Sequence, residues 1–176
     1  MHVLLGVSAS VAIHRSLDVV SELRKRGHGI TVLMTSNATK LVTPLQFAAL
    51  SGGLVHHDVF AGSGNDVYDH LTPAREGDVY LFCPASADLI ARLACGMGDD
   101  MVTTTALAFE GPRFVAPAMN YRMWKNPLVQ RNLALLRSLG YAQIGPADGE
   151  LACGDQGPGR LAPVADILAA ILTPAS

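Results

Sequence analysis

H-V-L-L-G-V-S-A-S-V-A-I-H-R-S-L-D-V-V-S-E-L-R-K-R-G-H-G-I-T-V-L-M, residues 2–34, contains a complete strand, helix and strand in succession. The apolar run His2–Gly6 is too continuous for a strand with one wet face, so it predicts a parallel strand buried on both sides. Val11–Arg26 carries apolar residues at helical spacing and ends at Gly27, the expected stop residue. Ile30–Met34 repeats the first run. Between the first strand and its helix lies G-V-S-A-S, where Ser8, Ser10 and several backbone N–H groups collect at a helix N-terminus. That arrangement suits either an anion such as a mononucleotide phosphate or ordinary serine capping.

The same alternation continues along the chain. Val79–Cys83 and Phe114–Ala116 read as buried strands and Tyr141–Ile144 as a weaker one. Pro44–Leu50, Ala87–Cys95 and Pro127–Leu139 read as helices closed by Gly52, Gly96 and Gly140. Residues 1–176 are therefore expected to form one α/β domain: a doubly wound parallel sheet, Rossmann-like and flavodoxin-like, with helices on both faces. Its ligand should lie at the carboxyl ends of the strands. Ala61–Asp69 is expected to be a loop, and Pro146–Pro163 a long irregular stretch of the kind that carries function.

Composition narrows the function classes. The chain has 176 residues, 49% of them hydrophobic and 16% charged, with a formal net charge of -2 and 6% aromatics. This supports a substantial core and offers neither a basic footprint nor a stacking platform for nucleic acid. No run approaches the ~18 apolar residues that cross a bilayer. Cys83, Cys95 and Cys153 are widely separated, which argues against a disulfide framework or zinc site and suits a reducing cytoplasm. His56 and His57, next to Asp58, would face opposite ways in a strand and read as surface residues rather than metal ligands. The high apolar content favours a homo-oligomer.

Three further segments look chemical rather than architectural. P-A-S-A-D-L at 84–89 follows the most apolar strand, placing Ser86 and Asp88 at the sheet's carboxyl edge, where the alternative reading is a helix cap. P-A-M-N-Y-R-M-W at 117–124 puts Asn120 at the same edge, where its amide can donate to a carboxylate without a competing charge. L-A-C-G-D-Q-G-P-G-R at 151–160 is too rich in glycine for core, so Cys153 departs from the buried, inert pattern that suits Cys83 and Cys95. His70 stands fourteen residues before Pro84, and an imidazole there titrates in the useful range for proton transfer. Neither G-x-G-x-x-G nor G-K-[ST] is present, so NAD and ATP find little support.

Together these segments resemble the flavin-dependent cysteine decarboxylases, above all the branch that acts on phosphopantothenoylcysteine, and the resemblance runs over nearly the whole chain. It implies FMN as cofactor, held through Ser8, Ser10, Thr35, Ser36 and Asn37. Ser86, Ala87, Asp88 and Leu89 would wrap the ring and ribityl chain, with Thr103 and Ala118 nearby. Ala9 stands where relatives usually carry a second glycine. His70 is implied as the active-site histidine, and Asn120 and Met123 as substrate contacts. Residues 151–160 are implied as a clamp over the substrate, with Cys153 as proton donor, Gly154 and Asp155 beside it, and Gly157 and Gly159 permitting motion.

The implied reaction oxidises the cysteine end of phosphopantothenoylcysteine to a thioaldehyde, loses carbon dioxide to give an enethiol, and reduces this to phosphopantetheine. The resemblance also implies a trimer, or a dodecamer built of trimers, with possible fusion to a phosphopantothenate–cysteine ligase. Two alternatives are a peptidyl-cysteine decarboxylase that stops at the enethiol and a non-catalytic regulatory flavoprotein. The clamp cysteine speaks against the first, and the want of a long acidic extension against the second. A flavin prenyltransferase would share the fold but not P-A-M-N.

Overall fold

A computed structural model describes residues 1–59, 71–150, 154 and 156–173. His70, Cys153, Asp155 and the loop expected at 61–69 lie outside the described residues.

Six parallel strands form the central sheet: β1 (His2–Val7), β2 (Gly29–Met34), β3 (Val55–His56), β4 (Val79–Ala85), β5 (Arg113–Pro117) and β6 (Tyr141–Gln143), in the order β3-β2-β1-β4-β5-β6. The chain lays down β1, β2 and β3 outward in one direction, then crosses back to place β4, β5 and β6 on the other side of β1. That reversal opens a crevice at the carboxyl ends of β1 and β4, where ligands of doubly wound sheets bind. The expected fold class is the observed one.

The continuous apolar runs serve two faces by strict alternation. Val3, Leu5 and Val7 of β1 pack into one core with Val19, Val20 and Leu23 of α1 (His14–Lys25), Phe47 of α2 (Pro44–Ser51) and Ile167, Leu168 and Ile171 of α8 (Val164–Leu172). Leu4 points the other way, into a core with Tyr80, Phe82 and Leu33. Leu89 and Ile90 of α4 (Ala87–Ala94), Met101 and Val102 of α5 (Met101–Ala108), and Leu133 and Leu136 of α7 (Pro127–Ser138) close that face. Gly6 is needed where it stands, because a Cβ there would meet the Phe82 ring at 2.9 Å and Val102 at 3.0 Å.

Helix boundaries follow local chemistry. Ser86 caps α4 by accepting from Leu89 N at 3.2 Å. Asp100 and Thr103 form a reciprocal capping box that starts α5. Asn126 caps α7 immediately before Pro127. Three short elements, α3 (Leu71–Glu76), α6 (Tyr121–Trp124) and the two-residue β3, are additions to the expected pattern, and so are α5 and α8.

The stretch read as irregular is instead an antiparallel ribbon. β7 (Ala147–Glu150) pairs with β8 (Gln156–Arg160), with partners Gly149↔Gly157 and Glu150↔Gln156. Its glycines disguise it, since β propensity belongs to side chains that this ribbon largely lacks.

Candidate active site

Ser8 follows β1 and is 2% exposed. Its hydroxyl donates to the Pro84 carbonyl at 2.7 Å and accepts from Ser86 N at 2.8 Å. A single side chain thus pins the end of β1 to the start of the P-A-S-A-D segment across the sheet's switch point. Ser10, two residues further along, makes a similar tie. It caps a short 3-10 turn, Val11–Ile13, and donates to the Ala118 carbonyl at 3.1 Å. Ser16, which the sequence pattern does not single out, donates from α1 to the Cys83 carbonyl at 2.7 Å. Three hydroxyls therefore tie the β1 side of the crevice to β4 and β5.

At the end of β2, Thr35 is buried, donates its N–H to Val7 O at 3.0 Å and caps the following turn through Ala38 N. Ser36 and Asn37 beside it are exposed. On the other side of the crevice, Ala118 N donates to Ala85 O at 3.1 Å, bringing the 84–89 and 117–124 segments side by side. Ala87 is half-buried in the cleft wall, Leu89 is fully buried behind it, and Asp88 faces outward to Arg92 at 3.3 Å. Thr103 is fully buried in the capping box of α5 and does not line the cleft.

Asn120 is the N-cap of α6: its Oδ1 accepts from Arg122 N at 2.8 Å, which fixes the orientation of the amide. Met123, on the first turn of α6, lines the cleft and is 48% exposed. The β7–β8 ribbon straps this segment from outside. Met119 N donates to Gly159 O at 2.9 Å, Gly157 lies against the Tyr121 ring, and a Cβ on Gly159 would fall on the Met119 carbonyl. Gly157 and Gly159, at φ 143° and 140°, therefore serve close approach of two backbones; Gly154 is exposed at the ribbon's far end.

The result is one cleft of about 940 Å³ whose walls come from the ends of β1, β4 and β5, from α6 and from the ribbon. Its size falls in the usual range for small-molecule sites, roughly 300–1,000 Å³. Ser10, Ser86, Ala87, Ala118, Asn120 and Met123 meet there. Burial pushes the Cys83 thiol, just behind the cleft, up to about 12, partly offset by the Ser16 hydroxyl, so it is an inert neutral group. Among the described residues no group of three or more His, Cys, Asp or Glu side chains could hold a metal ion, and no helix is long and apolar enough to cross a membrane.

The flavoprotein family model matches residues 1–176. The chain is 42% identical over 168 residues to a probable phosphopantothenoylcysteine decarboxylase of Streptococcus mutans, covering 94% of each protein. It is also 42% identical over 159 residues to the coenzyme A biosynthesis bifunctional protein CoaBC of Vibrio vulnificus, covering 90% of this chain and 40% of that one. The crystal structure of the FMN-dependent cysteine decarboxylase SpaF superimposes with a TM-score of 0.85 at 31% identity, over 97% of this chain and 94% of that one.

Proposed function

The chain belongs to the flavoprotein family, and from that membership we propose that it is an FMN-dependent carboxy-lyase converting phosphopantothenoylcysteine to phosphopantetheine, residues 1–176 forming its catalytic domain. The observation that carries this reading is the meeting, in one cleft, of the 84–89 segment, the 117–124 segment and the ribbon that ends at Arg160.

The cleft suits a flavin. Ala9, Ala87 and Ala118 give it walls of small residues that leave room for a flat ring, and Met123 offers an apolar contact at its edge. Ser10, Thr35 and Ser36, together with backbone N–H groups at adjacent strand ends, would hold the single phosphate of FMN. Ser86 and Ala87, which line the cleft, would support the ring and ribityl chain, Asp88 and Leu89 contributing through their backbone. Bound FMN would supply two-electron oxidation of the cysteine end of the substrate and the matching reduction after carbon dioxide has left, with no net redox change.

The rest of the work belongs to this chain's side chains. Asn120, held by Arg122 N, orients the substrate carboxylate so that it can leave once a C=S group lies β to it. His70 accepts and returns the thiol proton, a task for which imidazole is suited near neutral pH. Cys153 delivers the proton to the enethiolate carbon, with Gly154 and Asp155 beside the substrate. On this reading the enzyme works in the cytoplasm as a homotrimer or a dodecamer of trimers, beside or fused to a phosphopantothenate–cysteine ligase. The match to 40% of a bifunctional relative supports such coupling.

The test is turnover of phosphopantothenoylcysteine by the purified holoenzyme, followed by mass spectrometry, with the cofactor released by heat and identified by chromatography. FMN and phosphopantetheine are expected; FAD, or no decarboxylation, would overturn the reading. In Cys153→Ser, carbon dioxide should still be released while the product stays two hydrogens lighter, because an alcohol is a far weaker acid than a thiol. A parent protein that itself stops at that lighter product would point to the peptide-maturing alternative.

A further inference from the structure

Resting on the decarboxylase reading, we infer that Arg15 of α1 and Arg160 of β8 form the subsite for the substrate's phosphate monoester, and that this cationic rim makes the enzyme prefer a phosphorylated pantothenoyl compound. The two arginines come from opposite ends of the sequence yet both line the same cleft. Asp148 is the only carboxylate among the described lining residues, so the fixed charges there are two positive against one negative, with His14 beside them. Ala87, Ala118 and Met123, small or apolar, line the same cleft as Asn120 and offer no competing charge to the reacting end of the substrate.

Neither arginine is committed to the fold. Arg15 is 52% exposed and among the described residues pairs with Asp18 alone, at 3.3 Å and 53% exposed, an arrangement that contributes little to stability. The Arg160 side chain lies along the ribbon, where a Cβ on Gly149 would meet its Nη1 at 3.3 Å and its Cδ at 3.4 Å. Its guanidinium makes no hydrogen bond or ion pair with any described residue. A phosphate dianion matches the planar donor fork of each group, and two forks on one rim can share its oxygens. The phosphate keeps its charge and shape throughout the reaction, so contacts made to it equally in ground and transition states register in KM rather than kcat.

The test compares the holoenzyme with Arg15→Met, Arg160→Met and Arg15→Lys; methionine keeps an apolar stem, and lysine keeps the charge. Each is assayed on phosphopantothenoylcysteine and on pantothenoylcysteine, its FMN content is measured, and binding of phosphopantothenate and pantothenate is followed by calorimetry. The parent should favour the phosphorylated substrate. Each methionine variant should lose ~10-fold of that preference through KM, the order expected for losing a charge-assisted hydrogen bond, with FMN content unchanged. Arg15→Lys should recover some of it.

Preference retained in both methionine variants would overturn the inference. So would loss of FMN in Arg15→Met, which would assign that side chain to the cofactor's phosphate. If the parent decarboxylates neither compound, the decarboxylase reading falls, and calorimetry still decides the subsite. Arginine-dependent binding of phosphopantothenate over pantothenate upholds it, and equal binding of the two overturns it.

Discussion

Ser8 illustrates how a side chain that reads as a ligand contact can act through the backbone. Its hydroxyl both donates and accepts within the protein, joining Pro84 and Ser86. Ser8→Ala would leave a buried carbonyl and a partly buried N–H without that partner, at a cost of about 1–3 kcal/mol. Urea denaturation should show this loss, accompanied by weaker FMN retention because the 84–89 segment is no longer pinned; unchanged stability would contradict the structure. Cys83 makes a pH-dependent prediction. Burial raises its thiol from 9.0 to about 12, so the folded chain holds that proton more tightly than the unfolded chain. The resulting stability is fully present below about pH 9 and is lost as pH rises toward 12, at a slope approaching ~1.4 kcal/mol per pH unit. Tyr80, raised by burial and then by Asp100, adds its own loss from above pH 10. Between pH 9 and 10, Cys83→Ala should therefore show a shallower fall in stability than the parent, and equal slopes would exclude the buried-thiol account.

Among the elements, the β7–β8 ribbon has the most direct bearing on the site. It docks on the 117–124 segment by the Met119–Gly159 hydrogen bond and by the close fit of Gly157 to Tyr121. Gly159→Ala sets a Cβ against the Met119 carbonyl at a φ of 140°, so the ribbon must lift from that segment. Strain of this kind costs roughly 1–3 kcal/mol. The expected outcome is faster proteolysis between 147 and 160 and a raised KM with global unfolding little changed, read by limited digestion and kinetics; a parental digestion rate would refute it. The elements legible in the sequence are the long ones. β1, β2, β4 and β5 and the helices closed by Gly52, Gly96 and Gly140 appear within a few residues of expectation, because buried parallel strands and glycine-stopped helices leave strong local patterns. α5 is hidden because M-V-T-T-T-A-L-A is rich in β-branched residues, and its helix depends on the Asp100–Thr103 capping box and on burial against Tyr80 and Phe109. β3, α6 and the ribbon are short or glycine-rich, and tertiary contacts rather than propensity fix them. For the site, the motifs identify which loops meet, but not that Ser16 helps to hold them or that Thr103 is buried in the α5 capping box, outside the cleft lining.

For the whole molecule, the distribution of exposed apolar side chains bears on assembly. Val11, Leu41 and Leu45 are 72%, 56% and 76% exposed; Val11 belongs to the connection that leaves β1, and Leu41 and Leu45 to the connection and helix α2 that follow β2, its hydrogen-bonded neighbour. Isolated exposed leucines are ordinary, but three large exposed apolar side chains in the connections that follow adjacent strands are what a subunit contact would cover. Val11 also lines the cleft, so a neighbouring subunit seated there would help close the site. The trimer proposed above is expected to use this face. Native mass measurement of the parent should give three chains or a multiple of three, and Leu41→Glu combined with Leu45→Glu should shift the mass toward one chain, since burying two new carboxylates is strongly unfavourable. Neither leucine belongs to the buried core, so the single chain should keep its fold, as circular dichroism would show. Turnover and FMN retention should fall together with assembly if the neighbour completes the site. A parent that is monomeric and fully active would refute the assembly, and a doubly substituted chain that remains trimeric would exclude this face as its interface.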